Sequence, residues 1–237
     1  MIKAVFEAGL SDELYYLFHV LGALSVVLFN LWYGGKYGIG KKQSLFITLF
    51  AYPLVYIWIY IEYWIESGFR DFGGNNIVRG FVYMPLIAYP FFRMMKVRFK
   101  NGCDFIAPCV CLTMFVSHIG CIFPGCCHGY ECPSFGIYNI ATQTYVFPVQ
   151  LFEAVTALAV ALIVVRRAKA RGYASDGRSY PLMLVLYGST RFLWEFARDN
   201  EKIWLGCSVL AFHALFMTLV GAVALCILHG RRGSERK

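Results

Sequence analysis

The chain has 237 residues, of which 59% are hydrophobic and only 15% charged, against about a quarter charged in ordinary globular proteins. This composition excludes a typical soluble enzyme and indicates an integral membrane protein. The formal net charge of +8 would suit nucleic acid in a soluble chain, but the basic residues gather at the ends of apolar runs, where they meet anionic lipid, and no DNA- or RNA-binding motif is present.

The opening residues, MIKAVFEAGLSDELYY, lack a short apolar region followed by a small-residue cleavage site, so no cleaved signal peptide is expected. Seven apolar runs follow, near residues 12–33, 44–65, 79–95, 104–123, 147–165, 180–197 and 204–228. Crossing the hydrocarbon core takes about 20 helical residues, so the fold class expected is an all-α membrane protein, a bundle of about seven transmembrane helices. The third run carries Pro85 and Pro90, which membrane helices tolerate when neighbours satisfy the freed backbone groups. Residues 1–237 read as a single integral membrane domain, with no internal repeat.

Most Lys and Arg residues fall in alternate connections. Lys36, Lys41 and Lys42, then Arg93 to Lys100, then Arg166 to Arg178, and finally Arg231 to Lys237 share one side with the C-terminus. The positive-inside rule places that side in the cytoplasm and the N-terminus outside. The segment 124–146, with no Lys or Arg, then falls on the extracytoplasmic side.

The stretch SHIGCIFPGCCHGYEC at 117–132 concentrates Cys121, Cys126, Cys127 and Cys132 with His118 and His128. Three readings stay open. Thiolates and imidazole suit zinc or iron, although the spacing lacks the paired C-x2-C units of familiar zinc sites. An oxidising compartment would favour disulfides, with Cys126 and Cys127 bonding to separate partners such as Cys121 and Cys132. A thiol beside a histidine could also contact substrate or act as a nucleophile. Gly120, Gly125 and Gly129 favour backbone that departs from helix, which at membrane depth belongs beside a cavity or inside protein.

The fifth run opens with Pro148, Gln150 and Glu153, where a glutamate near a helix N-terminus can simply meet the favourable end of the macrodipole. In the sixth run Arg191, Glu195 and Arg198 recur at i, i+4 and i+7, on one helical face. Ionisable groups within a span are costly and usually face a cavity or a partner. A self-satisfied ion pair is the plain explanation. Two arginines exceed one carboxylate, however, and the surplus positive charge fits a phosphate.

Two of these motifs resemble the prolipoprotein diacylglyceryl transferase family. Its Pro-x-Gln-Leu-Tyr-Glu appears as Pro148, Val149, Gln150, Leu151, Phe152 and Glu153, with Phe in place of Tyr, and its Tyr-Gly-x-x-Arg-Phe-x-x-Glu-x-x-Arg matches Tyr187, Gly188, Arg191, Phe192, Glu195 and Arg198 without a gap. The departures are equally plain. His118 stands where the family signature has arginine, Gly120 is kept, and Cys121 and Cys126 replace an asparagine and a glutamate. Upstream, GGNNIVRGF has Val78 where histidine belongs, with Arg79 adjacent. The chain thus resembles a divergent branch with a Gly-Cys-x3-Gly-Cys-Cys signature.

The resemblance implies a multi-pass enzyme of the bacterial cytoplasmic membrane that moves a diacylglyceryl group from phosphatidylglycerol to a thiol or other nucleophile, as in lipoprotein modification, with its site facing outward. On that basis His118, Cys121, Cys126, Cys127, His128, Arg191 and Glu195 are expected to be catalytic. Arg79, Gly120, Gly125, Gln150, Glu153, Tyr187 and Arg198 are expected to bind substrate. Neither cofactor nor metal ligand is assigned; the partners are a phosphatidylglycerol-like lipid and an acceptor of undetermined identity, with no nucleic acid. A thiol redox or metal protein, or a non-catalytic lipid-binding protein, could use the same scaffold.

Overall fold

The computed structural model describes residues 9–70 and 77–234. Lys3, the GGNN at 73–76, and Arg236 and Lys237 lie outside the described residues. Seven α-helices are found among the described residues: α1 (Ser11–Tyr33), α2 (Lys41–Glu66), α3 (Ile77–Met94), α4 (Phe99–Gly120), α5 (Val149–Ala170), α6 (Ser179–Glu195) and α7 (Val209–Ser234). A 3-10 turn (Gly34–Tyr37) links α1 to α2, and two short strands, β1 (Ile137–Tyr138) and β2 (Tyr145–Val146), pair antiparallel between α4 and α5.

Five helices, α1, α2, α4, α5 and α7, are long and apolar enough to cross a membrane. The protein is an all-helical, multi-pass membrane protein. The two others depart for identifiable reasons: α3, long enough at 18 residues, is made less apolar by Arg79, Arg93, Pro85 and Pro90, and α6 has 17 residues. At a rise of 1.5 Å per residue, 17 residues reach only about 25 Å, short of the roughly 30 Å hydrocarbon core.

The bundle is organised around α4, which packs against α1, α3, α5 and α6 and buries Phe105, Ile106, Cys109, Val110 and Cys111. Peripheral α1 instead exposes Leu17, Val20, Leu24 and Leu28, as a lipid-facing helix should. Helices α6 and α7 approach closely at Gly188, since a Cβ there would stand 2.5 Å from Thr218 Oγ1 and 2.9 Å from the Ala214 carbonyl oxygen. Lipid tails are as apolar as Leu, so close van der Waals packing through small residues is what holds such helices together. Gly188 of the Tyr-Gly motif therefore serves packing.

Asp104, at the first turns of α4, fixes the far end of α6. Its carboxylate accepts from the backbone N–H groups of Gly177 at 2.9 Å and Ser179 at 2.8 Å, satisfying donors that a helix start leaves without partners. His118, fourteen residues on, lies about 21 Å further along the same helix. One helix thus spans from the anchor of α6 to the cysteine-rich bend.

Candidate active site

Beyond Gly120 the chain leaves helix through a series of turns over 121–127. Gly125 and Cys127 take left-handed conformations, at φ +74° and +60°; the first suits glycine and the second is strained for any residue with a Cβ. Two buried amides hold that strain in place. Asn139 donates to the Gly125 carbonyl at 2.8 Å while its own oxygen accepts from Ala141 N–H, and Gln150 donates to the Cys126 carbonyl at 2.7 Å.

The bend is also tied to the segment after α6. Gly129 bridges Arg198, Tyr130 N–H donates to the Ala197 carbonyl at 3.2 Å, and Asp199 N–H donates to the His128 carbonyl at 3.2 Å. Helix α6 ends at Glu195, so Arg198 lies in this segment and not on the helical face that the i, i+7 spacing implied. The backbone bridge to Gly129 delivers it to the site all the same.

Charged side chains from α5, α6 and this segment meet beneath the bend. Arg191 Nη1 lies 2.5 Å from Glu195 Oε2 and 2.8 Å from Glu153 Oε1, and Arg198 pairs with Glu153. Glu195 also accepts from Ser208 Oγ at 2.6 Å and from Asn200. Glu153 and Glu195 are each only 1% exposed. The surplus positive charge expected from α6 alone does not exist. Glu153 approaches from α5 and balances the second guanidinium, because burying an uncompensated charge would cost several kcal/mol.

What remains free is donor capacity. A guanidinium has five N–H groups in a fixed fork, and Arg198 Nε has no hydrogen-bond partner among the described residues. His118 is buried, and among the described residues neither of its ring nitrogens is hydrogen-bonded; its Nε2 stands 3.5 Å from Glu153 Oε2, outside hydrogen-bond geometry. Hydrogen bonds from Cys121 and Cys126, then the charge of Arg198, hold the Cys127 thiol well below its ordinary range despite burial.

These groups share one cavity. Its volume is about 210 Å³, and Tyr15, His118, Cys121, Cys126, Cys127, Arg191 and Arg198 line it. A second, apolar hollow of about 510 Å³ runs between α1, α2 and α4, lined by residues such as Val20, Ala23, Val27, Leu49 and Pro53. His19, Tyr56 and Ser117 belong to the walls of both. A donor-rich pocket lined by two arginines thus adjoins a greasy one, an arrangement that suits a lipid with an anionic headgroup.

The chain matches the prolipoprotein diacylglyceryl transferase family over residues 5–227. It belongs to that family. Among curated proteins it is 24% identical over 175 residues to phosphatidylglycerol–prolipoprotein diacylglyceryl transferase 2 of Clostridium perfringens, covering 70% of this chain and 67% of the relative. It is 23% identical over 182 residues to phosphatidylglycerol–prolipoprotein diacylglyceryl transferase of Clostridium tetani, covering 71% of each. The reading of the sequence as a membrane transferase of the diacylglyceryl type is borne out.

Within this transferase fold the expected site residues separate. His118, Cys121, Cys126, Cys127, Arg191 and Arg198 line the cavity, and Glu153 and Glu195 lie behind the guanidiniums. Gln150 and Gly125 shape the bend. Gly120 serves packing, since a Cβ there would meet Phe18 Cβ at 2.8 Å. Tyr187 sits in the apolar core with its ring 5.8 Å from that of Phe81. His128 is outside the cavity lining, its Nδ1 bonded to the Gly129 carbonyl at 2.9 Å. Val78 does line the cavity, whereas Arg79, one residue and about 100° further round the helix, pairs with Glu66 and Glu62 in a separate hollow. Asn139, Asn200 and Ser208 were not anticipated; only Asn200, two residues past the Arg198 motif, carries a signal in its position.

Proposed function

We propose that the protein transfers diacylglyceryl from a phosphatidylglycerol-like lipid to a thiol acceptor, at a site opening on the extracytoplasmic side of the bacterial cytoplasmic membrane. The observation that carries this reading is the meeting of Arg191, Arg198 and His118 in one cavity beside an apolar hollow. The family match supports the reaction class, and the names of the two clostridial relatives support the donor and the acceptor class.

The acceptor sulfur attacks the glyceryl carbon that bears the phosphoester oxygen. The C–S bond forms, the C–O bond breaks, and glycerol phosphate leaves with the electron pair and one more negative charge. The thiol proton passes to His118, whose free ring nitrogens can receive it. The resting site holds two carboxylates against two guanidiniums, and protonation of His118 tips it positive as the phosphate becomes more negative. Stabilisation that grows only in the transition state is what accelerates a reaction. Glu195, at 2.5 Å, holds Arg191 in position.

The cavity cysteines do not serve as a covalent way station. Alkylation would turn a thiol into a thioether, and an unactivated thioether does not release its carbon to a second nucleophile.

The test is release of glycerol phosphate from labelled phosphatidylglycerol vesicles containing the protein and a thiol peptide. Arg191→Ala is expected to abolish release while the protein stays monodisperse and helical. Full turnover in that variant overturns the proposal, and a lipid that binds the wild type without release makes the protein a lipid-binding module only.

A further inference from the structure

The three cavity sulfurs form a compact group. Sγ atoms of Cys121, Cys126 and Cys127 all lie within 4.8 Å of one another. In a tetrahedral zinc site with bonds of about 2.3 Å, sulfurs stand roughly 3.8 Å apart, so small rotamer changes close this triangle onto one ion. The triangle is built by the fold. It requires the left-handed turns at Gly125 and Cys127, locked by Asn139 and Gln150.

The surroundings point to a ligand as well. His118, in the same cavity and only 5% exposed, has no hydrogen-bond partner for either ring nitrogen among the described residues. A buried polar group without a partner carries a desolvation penalty of about 1–3 kcal/mol, which a bound ligand would relieve. Arg198 lines the same cavity as Cys127, and among the described residues its Nε has no hydrogen-bond partner. Three thiolates around a monovalent or divalent ion carry a net charge of −2 or −1, and Arg198 supplies positive charge beside them.

A disulfide would explain less. Three clustered thiols cannot all pair among themselves, and adjacent Cys126 and Cys127 bond to each other with difficulty.

We propose that Cys121, Cys126 and Cys127 bind one soft d10 metal ion through their thiolates. Thiolate ligands select ions such as Cu(I) and Zn(II) over Mg(II) or Ca(II). Each thiol that ligates gives its proton to solvent. The site goes beyond lipid transfer and stands whether or not that reading holds.

Cadmium is the probe, since cadmium–thiolate bonds absorb in the ultraviolet. The full chain in detergent, reduced and kept anaerobic, is titrated with Cd(II) and then treated with a maleimide for peptide mapping. The expected result is an absorption endpoint at one ion per chain, with Cys121, Cys126 and Cys127 protected from labelling and Cys207 still modified. Cys121→Ser and Cys127→Ser should each weaken binding at least tenfold, and Cys207→Ser should leave it unchanged. Equal labelling of the three thiols with and without Cd(II) in the wild type overturns the proposal without reliance on any variant. An endpoint retained by the Cys121→Ser and Cys127→Ser double variant overturns it too.

Discussion

Two arginine–glutamate clusters lie within this bundle among the described residues, and of these one has the makings of an active site. Arg79 on α3 faces Glu62 and Glu66 on α2, beside a hollow of about 220 Å³. Arg191 and Arg198 face Glu153 and Glu195 beside a cavity of about 210 Å³. Size does not separate them. Burial does: Glu66 is 48% exposed by its side chain, whereas Glu153 and Glu195 are each 1% exposed. A charge pair in low dielectric interacts several-fold more strongly than one at the surface, and the buried cluster alone adjoins thiols, an unbonded histidine and an apolar hollow. What marks a site is the unspent donor capacity left after the charges are balanced.

The sharpest way to break the comparison is to remove Glu153, which contacts both guanidiniums. Glu153→Ala leaves two buried cations facing one carboxylate, and breaking a buried pair costs about 3–5 kcal/mol. Turnover should fall below detection and the melting temperature should drop by several degrees, read by glycerol phosphate release and by thermal unfolding in detergent. Wild-type turnover in this variant would show that the balanced network has no part in the reaction.

Removing His118 tests the proton-accepting role with a smaller effect. His118 does not hold a helix in place by hydrogen bonds, so His118→Ala should fold normally. A positioned general base contributes about 10²–10⁴-fold. The rate should drop by that factor with the apparent affinity for lipid little changed, and a variant losing lipid affinity alone would reassign His118 to binding.

How far the sequence foretold these clusters follows from the range of the forces involved. The apolar runs located all seven helices because burial in lipid is a property of composition within one segment. The run at 44–65 became Lys41–Glu66 and that at 180–197 became Ser179–Glu195. The boundaries missed where polar residues extend a helix, as at Phe99 to Asn101 at the start of α4 and Arg166 to Ala170 at the end of α5, and where apolar residues lie in turns, as at 121–123 and 204–208. Arg191, Glu195 and Glu153 were visible because ionisable groups within spans are conspicuous. Their charge balance was not visible, since it depends on α5 and α6 meeting, a tertiary fact. The clamp from Asn139 to Gly125, fourteen residues apart in an irregular segment, follows no periodicity that a sequence could display. Arg79 is adjacent in sequence to Val78, but a helix sends adjacent side chains in different directions, and the two residues line separate hollows.

Arg79→Gln sets the lower end of the comparison. Arg79 is itself buried, at 9% exposed, but its partner Glu66 reaches solvent, and ion pairs with an exposed member are commonly worth no more than about 1 kcal/mol. Glutamine keeps hydrogen-bonding groups within reach of Glu66 while removing the charge. Turnover should stay within about twofold of the wild type and the melting temperature should shift by only a few degrees, because one kcal/mol is spread over a large unfolding entropy. Val78→His is the complementary change, since position 78 already faces the cavity. A response larger at 78 than at 79 would locate the working face of α3, and a collapse of activity in Arg79→Gln would move the boundary of the site to include the second cluster.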